Sequence, residues 1–348
     1  MQEQPPRNYG IDIARILAMF FVCVLHMGAW CGEGIAKAPT SGDYTVAVLF
    51  WSLAYVGVNL FMMISGYLGI NRTWKFKSFL RLWLQVVFYL MGGLLLAYAV
   101  FGSCLQTRIF LFKIFPIPFA NAYWYFTAYA GAFFLFPYLN KGFLALTKSE
   151  REKLLGILFI IICLFGFFNR HVWGGQNAVW MLVMYLTGAY LKLHPLQLKT
   201  RHLLMIYIFF SLLGGSLYIL NNYLSSHTPL NLPIPNLDYT SPFVVCASVA
   251  CFTFCTRLQP QSAILRKTII TIAPLTFAVY LIQSHPFFSG RFHDICSWAA
   301  RYTHYSWWHI PVLSILLFVF CLCIDYLRLR LFNFIGQVFA RKTSKKNA

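Results

Sequence analysis

Charge is what this chain has least of. Asp, Glu, Lys and Arg together make up 11% of its 348 residues and only 9 of them are acidic, whereas a soluble globular chain carries roughly 25% charge. That deficit excludes an ordinary water-soluble domain. The 28 Lys and Arg residues give a net charge of +19, yet they sit in short segments between apolar runs and not on one folded basic face. They therefore argue against a nucleic-acid partner and for membrane topology. No C-x-x-C pair and no matching Cys/His spacing occurs among the ten cysteines, so no metal site is expected. Most of these cysteines lie inside apolar runs, where Cys behaves as a small hydrophobe. Cys31, Cys104 and Cys296 fall near segment ends on one side, which leaves an external disulfide open. An internal repeat is also missing, and no connecting segment is long enough to form a separate soluble domain.

What remains is apolar: 59% of the chain is hydrophobic and 19% aromatic. Ten runs approach the length of about 20 residues that a hydrocarbon core requires: 11–30, 46–69, 82–102, 120–139, 154–169, 176–193, 203–221, 241–257, 269–288 and 308–327. Ala36-Lys37-Ala38 has the small-x-small form of a signal-peptide cleavage site. The preceding run is longer than the 7–15 residues of a typical signal core and carries charge, so it reads as a transmembrane helix. With the N-terminus inside, 21 Lys and Arg residues face the cytoplasm, while six (Lys37, Arg108, Lys113, Arg170, Arg291 and Arg301) face out. This positive-inside bias supports an even number of spans. The expected fold is thus an all-α, polytopic membrane protein of about ten transmembrane helices with both termini cytoplasmic. It forms one membrane-embedded domain over 1–348, with a core of about 11–327 and a basic tail over 328–348.

Ionisable groups inside a span cost about 2.5–3.5 kcal/mol on insertion scales and mark functional positions by default. The first run holds Asp12, Arg15 and His26. Arg15 and His26 are eleven residues apart, which returns them to within about 20° of one another, separated by about 16 Å along the helix axis. One reading is structural: Arg15 reaches the inner headgroups or pairs with Asp12, and His26 hydrogen-bonds a neighbouring helix. The other is chemical. Arg15 binds an anion near the inner mouth of a cavity, and His26, deeper in, acts as base or nucleophile, because a buried imidazole stays uncharged. Glu33 would share the face of His26 if the helix continued past Gly32 and Gly34.

Arg72, Lys75, Lys77 and Arg81 cluster in the next inside loop, either as topology signals or as a clamp for a phosphorylated ligand. Asn59, Ser65 and Tyr67 interrupt the second run, where small and polar residues permit close helix approach or expose backbone to a ligand. Tyr123-Trp124-Tyr125 opens the fourth run as an interfacial belt or a pocket wall. Tyr280, Gln283 and His285 precede Pro286 at the end of the ninth, as a capped helix end or as an acceptor site.

Taken together, these residues resemble the acyltransferase 3 family of integral membrane acyltransferases, particularly members that O-acetylate surface polysaccharides. The resemblance spans nearly the whole chain. It rests on the R-x10-H pattern of Arg15 and His26, on Phe61-Met62-Met63-Ile64-Ser65-Gly66-Tyr67, which looks like the family's F-x-x-x-S-G-[YF] run, on the basic loop, on Trp124 and on Tyr280-Leu281-Ile282. Two features depart from the family pattern: Gln283 stands where a His often follows Y-L-I, and the basic loop has no R-x-x-R.

The resemblance implies transfer of an acetyl or other short acyl group from cytoplasmic acyl-CoA, as co-substrate, to a hydroxyl of a surface or lipid-linked saccharide in a bacterial inner membrane. Arg15, with Arg72, Lys75, Lys77 or Arg81, would hold the CoA phosphates. His26 would deprotonate the acceptor or carry the acyl group. Apart from the resemblance, their place at a helix end makes Asn59, Ser65 or Tyr67 candidates to face the oxyanion, and Trp124, Tyr280, Gln283 and His285 are candidates to face the acceptor. The competing expectation is a transporter or flippase for a lipid-linked sugar or small anion, although the missing repeat argues against the usual transporter plan.

Overall fold

The computed structural model describes residues 7–35, 41–73, 75–102, 123–165, 175–228, 237–302 and 306–346. Among these the chain is helical, with no strand. The helices are α1 (Tyr9–Ile35), α2 (Gly42–Ala54), α3 (Val56–Gly69), α4 (Phe76–Phe101), α5 (Trp124–Ala145), α6 (Lys148–Phe159), α7 (Ala178–Leu193), α8 (Thr200–His227), α9 (Pro242–Thr256), α10 (Ala263–Ile272), α11 (Thr276–Gln283), α12 (Phe288–Tyr302) and α13 (His309–Lys346).

Among the described residues, six stretches are helical, long and apolar enough to cross a membrane: Tyr9–Cys31, Gly42–Gly69, Phe76–Phe101, Thr200–His227, Ala263–Gln283 and His309–Phe334. Ala178–Leu193 and Pro242–Thr256 are apolar but shorter. Two of the expected runs are broken helices. The run at 46–69 divides at Tyr55, whose N–H turns back to the Ser52 carbonyl at 3.4 Å, while the Ser52 hydroxyl donates to Leu49 at 2.7 Å. The run at 269–288 divides at the 3-10 turn Ala273–Leu275, where Pro274 removes a helical donor. The run at 154–169 begins in α6, continues as a π turn over Ile160–Leu164 and leaves the described residues after 165. Lys37, Arg108, Lys113, Arg170 and Cys104 also lie outside the described residues.

Helix α1 runs through the centre and touches α2, α3, α9, α12 and α13. Glycines bring its neighbours close. A Cβ on Gly66 of α3 would fall 1.8 Å from the Tyr185 carbonyl oxygen of α7, and one on Gly188 of α7 would fall 2.0 Å from that of Met63. The two backbones therefore meet with nothing between them, as small residues allow. At one end of the molecule, Asp325 of α13 is fully buried and accepts from Tyr89 of α4 and from Arg328, both at 2.5 Å. At the other end α12 docks on α1: the Ser297 hydroxyl donates to the Trp30 carbonyl at 3.1 Å, and Phe292 stacks on Trp30. Cys31 and Cys296 meet there as buried free thiols, with the Cys31 thiol 3.9 Å from the Cys296 carbonyl.

Candidate active site

Asp12 anchors the charged end of α1. Its two carboxylate oxygens take Arg7 Nε at 2.7 Å and an Arg15 guanidinium nitrogen at 3.0 Å. The carboxylate is nearly buried, whereas Arg15 keeps 31% of its side chain accessible. One carboxylate between two guanidinium groups leaves a net positive charge, and Arg15 turns its remaining donors into open space.

That space is two cavities with Arg15 in the wall of both. The first, of about 440 Å³, is lined by Arg7, Asp12, Arg15, Tyr67, Arg72 and Lys192 among others. Four cations face one carboxylate there. The second, of about 420 Å³, passes Arg15, Arg72 and Lys75 at one end and Ser65, Tyr129 and Asn140 within. Its remaining wall is largely aromatic: Phe61, Tyr125, Phe126, Phe133, Phe136, Tyr185 and Phe277. Beyond it lies a pocket of about 60 Å³ containing His26, together with Val58, Trp124, Tyr239 and Tyr280. The second cavity and the His26 pocket share three residues, Phe61, Tyr125 and Phe277. These three rings form the constriction between the cationic space and the imidazole.

The sequence-derived residues separate accordingly. Arg15, Arg72 and Lys75 are brought together, while Lys77 and Arg81 are exposed and line none of these cavities. Ser65 lines the second cavity and donates to the Phe61 carbonyl at 3.0 Å. Tyr67 lines the first, with the Lys192 ammonium 4.8 Å from its ring centre. Trp124 and Tyr280 wall the His26 pocket, and the Tyr280 hydroxyl accepts the Tyr125 N–H at 3.2 Å.

Asn59 is placed differently from the oxyanion role. It is 1% exposed, its amide donates to the Tyr239 carbonyl at 3.0 Å and to Ser248 at 3.1 Å, and its carbonyl accepts Trp180 Nε1 at 2.9 Å. Both N–H donors and one lone pair of the carbonyl are therefore spent on helix packing, which leaves no N–H to offer an oxyanion. His285 is likewise occupied: Nδ1 accepts the Phe287 N–H at 3.2 Å, and Nε2 lies 3.2 Å from the Leu90 carbonyl. Its ring fills the notch left by Gly93 of α4. Gln283 is fully buried against α1. Helix α1 does continue past Gly32 and Gly34 to Ile35, but the Glu33 side chain lies outside the described residues.

Sequence reasoning missed Lys192, Tyr129, Asn140 and Tyr239. In the sequence Lys192 is one of the 21 charges on the cytoplasmic side, and its approach to Arg7 and Arg72 depends on how α7 packs. Among the described residues no cluster of His, Cys, Asp and Glu could hold a metal ion.

Compared with models of protein families, residues 8–326 match that of the acyltransferase domain of the acyltransferase 3 type. No curated protein and no solved structure gives a match.

Proposed function

Because this chain belongs to the acyltransferase 3 family and is a multi-pass membrane protein, we propose that it moves an acetyl or other short acyl group from acyl-CoA to a hydroxyl of a saccharide. The acceptor is read as a cell-surface or lipid-linked sugar, and the membrane as the bacterial inner membrane with both chain ends in the cytoplasm. The observation that carries the proposal is the row of three cavities. Arg15 stands at the junction of two cationic spaces, and the second shares its aromatic wall with the pocket of His26.

The donor set fits a polyanionic handle. Arg7, Arg15, Arg72, Lys75 and Lys192 offer guanidinium forks and ammonium groups of the kind that bind phosphate oxygens. Among the described residues of the lining, Asp12 alone opposes them. The aromatic wall suits the thin, largely apolar arm that separates the phosphates of CoA from its thioester. His26 lies about 16 Å along the helix from Arg15, at the far end of that row.

In the chemical step His26 takes the proton of the acceptor hydroxyl as its oxygen bonds to the thioester carbonyl carbon. The carbon–sulfur bond then breaks and the proton passes to the departing CoA sulfur. The alternative route, in which the imidazole nitrogen itself carries the acyl group before the hydroxyl takes it, uses the same residues. Tyr125, Tyr239 and Tyr280, whose rings line the pocket, would contact the acceptor where its hydroxyl enters.

The test is transfer from radiolabelled acetyl-CoA by purified protein in lipid nanodiscs, read as release of free CoA thiol and as label in a saccharide acceptor. His26→Ala should lower kcat by about 10²–10⁴ while donor binding persists. Arg15→Ala should raise the donor KM by about 10- to 100-fold, the loss of one charge-assisted contact. Solute movement without thiol release would favour a carrier and overturn the proposal.

A further inference from the structure

His26 and Gln283 share an unusual property. Nδ1 of His26 and Oε1 of Gln283 are both buried, and neither has a hydrogen-bond partner among the described residues. Gln283 sits at the end of α11 with no exposed surface, and its Nε2 faces the Met19 sulfur at 3.9 Å, on the same face of α1 as His26 and two turns before it. Its side chain interacts with the His26 imidazole and also reaches the Cys23 thiol. A buried carboxamide oxygen and a buried ring nitrogen, each unmet and adjacent, have one economical solution: they meet each other.

We infer that Gln283 is the positioning residue for His26, accepting a hydrogen bond from Nδ1–H and thereby leaving the Nε2 lone pair for the pocket. This rests on the reading of His26 given above. The chemistry follows from the inventory of donors and acceptors. Oε1 only accepts, so the proton of a neutral imidazole paired with it must sit on Nδ1. A neutral ring has one N–H, and the other nitrogen is then a base or nucleophile. Nδ1 is sealed from the cavity, so the opposite tautomer would present an N–H to the acceptor and place the lone pair where nothing can use it. Trp30 supports the same orientation from the side, with its ring centre 5.5 Å from that of His26 and held in turn by Phe292 of α12.

An amide suits this position better than a carboxylate. It fixes the tautomer without adding charge inside the membrane and without holding the imidazole in its protonated, inactive form. The ionisable groups around the pair are Cys23 on α1, Cys321 on α13, Tyr125 on α5, Tyr239 before α9 and Tyr280 on α11. No carboxylate or ammonium group lines the pocket among the described residues. A carboxylate at position 283 would therefore act on His26 unopposed.

The test uses Gln283→Met, which keeps length and volume but loses both polar atoms, and Gln283→Glu, which keeps the acceptor and adds charge. His26→Ala is measured beside them in the acetyl-CoA assay in nanodiscs. Gln283→Met should lower kcat roughly 10- to 100-fold, as loss of an orienting partner does, with the donor KM within about twofold of the parent. Gln283→Glu should retain more activity than Gln283→Met, and the acid limb of its pH–kcat profile should move to higher pH, because the new carboxylate favours protonated His26.

Parental kcat in folded Gln283→Met, or an unmoved acid limb in Gln283→Glu, overturns the inference. If Gln283→Met does not survive purification, the Gln283→Glu profile decides alone. His26→Ala separates the two levels. Activity retained in that variant sinks the reading of His26 itself, whereas a dead His26→Ala beside a fully active Gln283→Met sinks only the role of Gln283.

Discussion

Arg15 and His26 were legible in the sequence because their relation is local: an eleven-residue separation on one helix fixes both face and axial distance whatever the rest of the fold does. Asn59 was not legible in that way. A polar side chain in an apolar run looks the same whether it awaits a ligand or ties helices together, and only the positions of Trp180, Tyr239 and Ser248 decide between the two. Asn59→Leu should accordingly destabilise the protein by about 1–3 kcal/mol, because it strands buried partners. Thermal unfolding in detergent would show it, with the residual folded fraction retaining its donor KM. A changed donor KM at unchanged stability would return Asn59 to the site. The basic loop divides just as sharply. Arg72→Ala and Lys75→Ala should each raise the donor KM by about tenfold, while Lys77→Ala and Arg81→Ala leave it unchanged, since those two residues line none of the cavities. Equal effects from all four would mean that the loop acts only through its summed charge.

At the scale of the helices, the motif around Ser65 and Gly66 has a packing reason. Gly66 and Gly188 let α3 and α7 touch backbone to backbone, which carries Tyr185 of α7 to the cavity wall beside Asn140 of α5. There the Tyr185 hydroxyl donates to Asn140 at 2.9 Å, and Asn140 donates to the Gly69 carbonyl at 3.0 Å. Gly66→Ala forces a methyl group into a carbonyl and should cost about 1–3 kcal/mol of stability. Gly92→Ala, whose new methyl meets nothing within 4 Å, should be neutral or slightly stabilising, since alanine is the better helix former. Urea or thermal melts of the two variants check the pair, and equal melts would contradict the close approach. Where the sequence reading fell short at this scale, the cause was the breaks. The bend at Tyr55 has neither Pro nor Gly at its corner, and it is made by a serine bonding its own backbone, which hydropathy does not register.

Across the whole molecule, the residues beyond hydropathy's reach are those that come together only when distant helices pack. Arg7, Arg72 and Lys192 belong to three separate parts of the chain, yet they surround one space. All three count toward the same side in the charge bias, and the packing gathers them around one cavity. The constriction of Phe61, Tyr125 and Phe277 is likewise drawn from three segments. A His26 pocket of about 60 Å³ has room for only a small group, so these three rings must move aside as the thioester arrives. Under the proposed function, one donor spans the molecule from Arg15 to His26. The most direct measurement is a cryo-EM map of the protein in nanodiscs with a non-hydrolysable acetyl-CoA analogue. Phosphate density should lie against Arg15, Arg72 and Lys192, the pantetheine arm between the three rings, and the acyl carbon within reach of His26. An analogue bound elsewhere, or bound with its acyl end remote from His26, would contradict it.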